Sequence, residues 1–169
     1  CNENGYFSYF NSDRYGFNNN DKFWDSNSID YLLVGDSFTH GACVYEKNSI
    51  PGNMRKIFNE NDENKTILNL GYSGNGPLRE YATLKEYLNI KKTKRIIWVF
   101  YENDINDLMQ ETNNNILINY LNNNNFSQNL LSRQDEIDNK LKEKFNNLYT
   151  QKKKEYERRY LSKFYSFLR

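Results

Sequence analysis

Three short apolar runs, each passing straight into a cluster of turn-forming residues, restrict the fold of this chain more than any other feature. The first covers residues 29–34 and leads into Gly35-Asp36-Ser37. The second covers residues 66–70 and leads into Gly71-Tyr72-Ser73-Gly74-Asn75-Gly76-Pro77. The third covers residues 95–101, with Ile96, Ile97, Trp98, Val99 and Phe100, and leads into Glu102-Asn103-Asp104. Nearly continuous runs of this length are expected for strands buried on both faces. Helical patterns lie between them. Met54, Ile57 and Phe58 follow Pro51 at helical spacing, and Leu78, Tyr81, Ala82, Leu84 and Leu88 form one apolar stripe that leaves Lys85 and Glu86 for water.

Strands alternating with helices predict a parallel, doubly wound α/β sheet, because each parallel return needs a crossover connection. Such sheets bind ligands beyond the carboxyl ends of their strands, near the point where strand order reverses. With the first strand central and the other two on either side, Ser37, Gly74 and Asn103 meet over one crevice.

The remaining sequence sets bounds. With 169 residues and 37% hydrophobic content the chain holds one domain with one core. A balance of 23 basic against 22 acidic residues, net +1, argues against broad electrostatic capture of nucleic acid. No segment has the apolar length of a membrane span. Cys1 and Cys43 make no disulfide framework, have no metal-ligand spacing and do not set a redox compartment. Because the chain opens on Cys1 rather than on methionine, removal of an upstream piece is expected; a mature lipoprotein begins in the same way.

Residues 1–28 are polar and aromatic without a sustained period and read as an irregular lead-in. Residues 29–112 read as the α/β core. Residues 113–169 read as an Asn-rich linker, with polar tracts at 113–115 and 122–125, followed by amphipathic helices. In residues 134–149 the stripe is Ile137, Leu141, Phe145 and Leu148. In residues 155–168, Tyr156, Tyr160, Leu161, Phe164, Tyr165 and Leu168 mix with Lys and Arg. That face suits a membrane or a nucleic acid, but packing against another part of the protein is the preferred reading, and no nucleic-acid partner is expected.

The blocks Gly35-Asp36-Ser37, Tyr72-Ser73-Gly74-Asn75 and Glu102-Asn103-Asp104, in this order and each after a strand, resemble the SGNH (GDSL-like) hydrolase superfamily over roughly residues 29–108. The resemblance implies a flavodoxin-like, three-layer α/β/α sandwich, here incomplete and with a helical C-terminal extension. It also implies serine-dependent hydrolysis of acyl esters, or acyl transfer, on a small molecule or a glycan. Ser37 would be the nucleophile and would offer its own backbone N–H to the oxyanion. Gly74 would offer a second N–H and Asn103 its side-chain amide. Acyl transfer builds negative charge on a carbonyl oxygen, and fixed neutral donors there lower the barrier. No metal or organic cofactor is implied.

Each of these residues has a plainer role available. Ser37 can cap a helix, Gly74 can close a turn, and Asn103 or Asp104 can cap the helix that starts near Ile105. Asp36 is expected to brace its turn and Asp107 to sit on a solvated helix face. The sequence departs from the family pattern at Glu102, where a small residue is usual; its side chain should point outward or pair with a base such as Arg79. No Asp-x-x-His block occurs, and the one histidine, His40, lies too close along the chain to Ser37 to align as its base. His40 is expected to be hydrogen-bonded locally or to line the pocket. The chain therefore reads as the N-terminal portion of a longer hydrolase whose histidine lies elsewhere, with a non-catalytic binding module as the competing class. The Asn- and Lys-rich composition looks bacterial. Compartment and oligomeric state stay open.

Overall fold

The structure, a computed structural model, describes residues 8–88 and 92–167, with side chains up to residue 158. Two compact units are formed, Cys1–Gln128 and Asn129–Arg169.

In the first unit, β1 (Ser28–Val34), β2 (Ile67–Asn69) and β3 (Lys92–Trp98) form a parallel sheet in the order β2-β1-β3. β1 is central, which is the condition under which the sequence reading lets Ser37, Gly74 and Asn103 meet. Leu33 stands opposite Asn69 on one side and Ile97 on the other. Ile29, Leu32, Leu33, Val34, Ile67, Leu68 and Leu70 are buried. Helices cover both faces. Tyr31 of β1 stacks on Phe58 of α2 (Ile50–Glu60) at 5.2 Å between ring centroids. Trp98, the register partner of Val34, donates its indole N–H to Glu80 of α3 (Pro77–Tyr87) at 2.6 Å. Successive side chains on a strand alternate faces, so positions 31 and 34 point to opposite sides and α2 and α3 flank the sheet. This is the open α/β architecture expected.

β3 begins earlier than the apolar run suggests, at Lys92, and it is not buried: Ile96 is 44% and Trp98 42% exposed. An apolar run reports what a strand can bury, whereas burial itself depends on neighbours. Among the described residues β3 has β1 on one edge and no strand on the other.

The polar lead-in carries a large share of the packing. Asp13 accepts the backbone N–H groups of Tyr15 and Phe17 through Oδ1, and the Asn19 amide and the Trp24 indole through Oδ2. This folds Phe17 and Trp24 onto Tyr87 of α3. Asn19 continues the network, donating Nδ2 to Asn69 O at 2.8 Å and accepting Asn69 N–H at 2.9 Å. Contrary to the expectation of no disulfide framework, Cys43 is disulfide-bonded; Cys1 lies outside the described residues.

The stretch after residue 112 also buries more than its asparagines suggest. Asn114 caps α5 (Asn115–Asn122) by accepting the N–H groups of Ile116 and Leu117, and Leu117 and Tyr120 pack with Leu78 and Ala82 of α3. Glu86, expected on the water side of α3, is buried. Its Oε1 accepts the Tyr120 hydroxyl, the Ser127 hydroxyl and the Gln128 N–H, so a carboxylate on the polar edge of the stripe becomes the anchor for the returning chain.

The second unit is a 3-10 turn, Leu131–Arg133, followed by α6 (Gln134–Phe167). The two helical stretches read from the sequence are one helix, since residues 150–154 hold no glycine or proline to interrupt it. Leu141, Phe145 and Leu148 are exposed. Of the basic aromatic stretch at 155–168, the side chains from residue 159 onward lie outside the described residues.

Asn69 is fully buried. Besides its backbone bonds to Asn19, its Nδ2 donates to Thr39 O at 2.9 Å and its Oδ1 accepts Gly71 N–H at 2.8 Å. Asn69→Ala leaves a buried carbonyl and a buried N–H without partners, at about 1–3 kcal/mol each. Urea denaturation should show a loss of about 2–4 kcal/mol, and a loss below about 1 kcal/mol would mean that water replaces the amide.

Candidate functional site

The ladder of β1 runs on past the strand ends. Leu70 N–H donates to Leu33 O at 2.7 Å, Tyr72 N–H to Gly35 O at 3.1 Å, and Val99 N–H to Val34 O at 2.9 Å. The segments that follow β2 and β3 are thereby bonded to the segment that carries Ser37. Gly35 is required here by close approach: a Cβ would lie 2.2 Å from Thr39 Oγ1 and 2.9 Å from Val99 O.

Ser37 opens α1 (Ser37–His40), a single turn closed by Gly41 in the left-handed region at φ 72°. Asp36 caps this turn, its Oδ1 accepting Phe38 N–H at 2.9 Å, which fulfils the bracing role expected of it. The Ser37 hydroxyl is therefore not the cap. It donates to Asp36 Oδ2 over a long 3.4 Å.

Asn103 precedes α4 (Asp104–Glu111) and makes no side-chain cap bond. Its Nδ2 donates to Asp107 Oδ2 at 3.0 Å and, weakly, to Asp36 Oδ2 at 3.5 Å. The entry to α4 is braced instead by Asp104, whose Oδ2 accepts Tyr101 N–H at 2.7 Å. Ser37 and Asn103, from two different strand ends, thus meet at one oxygen of Asp36. Asp107 serves to hold the Asn103 amide.

Gly74 occupies the third position of a turn from Tyr72 to Asn75, closed by Asn75 N–H to Tyr72 O at 3.1 Å. Its φ of 82° is the type II value that favours glycine. A Cβ there would meet nothing within 4 Å, so the dihedral, not close approach, requires glycine. Among the described residues the N–H groups of Ser37 and Gly74 have no acceptor.

Arg79 donates to Gly74 O at 2.8 Å and pairs with Glu111 at 3.6 Å. It does not pair with Glu102, which is exposed. Glu111 itself is buried and accepts the N–H groups of Gly76 and Leu78 at 2.9 Å, capping α3 from a distant part of the chain. Exposed Phe38 packs on exposed Tyr101 at 4.6 Å, which places two apolar rings beside Ser37.

His40 does not reach Ser37. Its Nδ1 lies 2.8 Å from Ser73 Oγ, and its ring stacks on Tyr72 at 5.3 Å. Burial holds its pKa below the ordinary histidine value. Neither the depression lined by Tyr9, Phe10 and Tyr45 nor the one lined by Arg55 and Asn59 includes Ser37, Gly74 or Asn103. Among the described residues no group of three or more His, Cys, Asp or Glu is placed to hold a metal, and no helix is long and apolar enough to cross a membrane.

Sequence reasoning gave Glu80 no role and Asp104 only that of a possible cap. Both are fully buried, each with one oxygen lacking a partner among the described residues. Burial pushes the Glu80 carboxyl up to about 7, with Asp104, Asp36 and Glu111 adding repulsion. Burial also raises Asp104. In sequence Glu80 looks like an ordinary polar position of α3; only its tertiary environment sets it apart.

No protein-family model matches the chain, and no curated protein matches it. Among solved structures it is similar to AlinE4, described as an SGNH-hydrolase family esterase, at 22% identity and a TM-score of 0.43, over 55% of this chain and 52% of that one. The chain thus spans about half the length of that esterase.

Two predictions follow from the carboxylates. Asp36→Ala removes the cap of α1 and the oxygen that Ser37 and Asn103 share, and should lower stability by about 1 kcal/mol in chemical denaturation. For Glu80 the sign is fixed by its raised pKa. As pH rises from about 4.5 to about 7 the unfolded chain loses the Glu80 proton while the folded chain keeps it, so stability falls over this window and then levels off. Glu80→Gln should therefore gain in melting temperature relative to the parent between pH 5 and pH 8. Parallel melting curves at the two pH values would refute this assignment.

Proposed function

We propose that this chain carries the nucleophile and oxyanion half of a serine-dependent hydrolase that acts on acyl esters through a Ser37 acyl-enzyme. The observation that supports the reading best is the meeting of Ser37 Oγ and Asn103 Nδ2 at Asp36 Oδ2. Two neighbouring aspartates take the bracing work at both sites, so neither side chain is spent on capping. The bonds from both groups to Asp36 are long, 3.4 and 3.5 Å, as suits groups that exchange partners when substrate arrives, while Asp107 holds the Asn103 amide at 3.0 Å.

In this reading Ser37 Oγ attacks the ester carbonyl carbon as its proton passes to a base. The tetrahedral oxyanion is met by the N–H groups of Ser37 and Gly74 and by the Asn103 amide. Collapse expels the alcohol, which takes the proton from the base, and water then releases the acid from Ser37 by the same steps. With His40 engaged by Ser73, we assign the base to a histidine outside these 169 residues. The substrate class we favour is an acetyl ester on a bacterial glycan, with a small-molecule ester or an acyl acceptor as the other members of the same chemistry. The absence of a histidine at Ser37 among the described residues equally supports a second reading, a binding module that keeps the crevice without turnover.

In the complete protein, Ser37→Ala should abolish turnover of 4-nitrophenyl acetate without changing the circular dichroism spectrum. Asn103→Ala should lower kcat by about a hundred- to a thousand-fold. Undiminished turnover by Ser37→Ala would sink the nucleophile assignment, and a complete protein that binds acyl esters without hydrolysing them would favour the binding module.

A further inference from the structure

His40 is the last residue of α1, its N–H donating to Asp36 O at 2.9 Å, so it moves as one body with Ser37. Its ring is 6% exposed, held edge-on by Phe10 at 4.8 Å and face-on by Tyr72 at 5.3 Å. Its carbonyl accepts the Asn18 amide at 2.8 Å. On its other side, a Cβ on Gly71 would come within 2.6 Å of His40 N, so the strand exit passes directly over the helix.

The turn that carries Gly74 is, by contrast, thinly supported. Ser73 and Gly74 are exposed, and no atom stands where a Gly74 Cβ would be. Arg79, itself half-exposed, reaches Gly74 O. The first residue of the turn, Tyr72, is bonded to Gly35 and stacks on His40; beyond it, among the described residues, the bond between Ser73 and His40 ties the turn to the body bearing Ser37.

We infer that His40 is a positioning residue: through Ser73 it holds the Gly74 N–H in register with the Ser37 N–H, so that the two can serve one oxyanion. The inference rests on the ester-hydrolase reading of the site. It assigns the imidazole a tautomer. Among the described residues His40 Nε2 is buried without a partner, and a buried lone pair is tolerated better than a buried orphan N–H. The proton therefore sits on Nδ1 and is donated to Ser73 Oγ, which leaves Nδ1 unable to act as a base. Burial keeps the ring neutral, in agreement with this.

Ser73 is exposed, so its hydroxyl can be removed without opening the core. In the complete protein, Ser73→Ala should lower kcat for 4-nitrophenyl acetate about tenfold, as expected for a misplaced oxyanion donor. KM should stay nearly unchanged, and Ser73→Thr should restore most of the rate. Long-range proton–nitrogen correlation spectra of the parent chain should show His40 protonated at Nδ1 near neutral pH. Parental kcat in Ser73→Ala, a proton on Nε2 with Nδ1 bare, or a fluorophosphonate adduct on Ser73 instead of Ser37 would each overturn the inference. Failure of the underlying reading looks different: Ser37→Ala would then keep the parental turnover, whereas failure of the tether alone leaves Ser37→Ala inactive and Ser73→Ala at full rate.

Discussion

A single buried amide joins β2, the last turn of α1 and the lead-in segment. Asn69 stands at the end of β2, where the ladder to β1 gives way to loops, and its side chain bonds the last turn of α1 through Thr39 and the strand exit through Gly71. Its backbone is in turn held by Asn19 of the lead-in. Buried amides have few partners available and lose heavily when unpaired, so these bonds fix where the segment after β2 can start. This pairing and the continued ladder of β1 bond the segment after β2 to the segment that carries Ser37.

Carboxylates do the bracing at the next level. Asp36 and Asp104 hold the turns at Ser37 and Asn103, and Glu111 holds the start of α3 after the Gly74 turn. Burial raises the pKa values of Glu80 and Asp104, and the neighbouring carboxylates add repulsion. Burial favours the protonated form of a carboxyl, which adds no charge to the interior. The arrangement also separates supporting side chains from those free to meet a ligand.

Much of this was legible from local signals. Three apolar runs each followed by turn formers predict parallel strands, whereas the central place of β1 comes from the pairing of the strands and not from the pattern. Other features had weaker signals. Asn69 interrupts an apolar run, and a polar residue in a buried strand is itself informative. Glu86 and Glu80 had none, because a helical stripe shows which positions are apolar but not which polar positions face a partner. The Asn-rich stretch misleads similarly: its composition hides Leu117 and Tyr120, which find a groove on α3.

The sequence by itself determined the alternation of strands and helices, the turns at the strand ends and the residue types delivered there, since these depend on backbone preference and on periodicity over a few neighbours. Tertiary structure alone decided what each delivered side chain touches. His40 lies near Ser37 in sequence, yet the packing of Phe10 and Tyr72 turns its ring to Ser73. Asn103 makes no cap bond to α4, whose entry Asp104 braces through Tyr101 N–H, and it meets Asp36 only because β3 pairs with β1. Hydrogen-bond partners are chosen by distances between segments far apart in the chain, and those distances exist only once the sheet has closed its register.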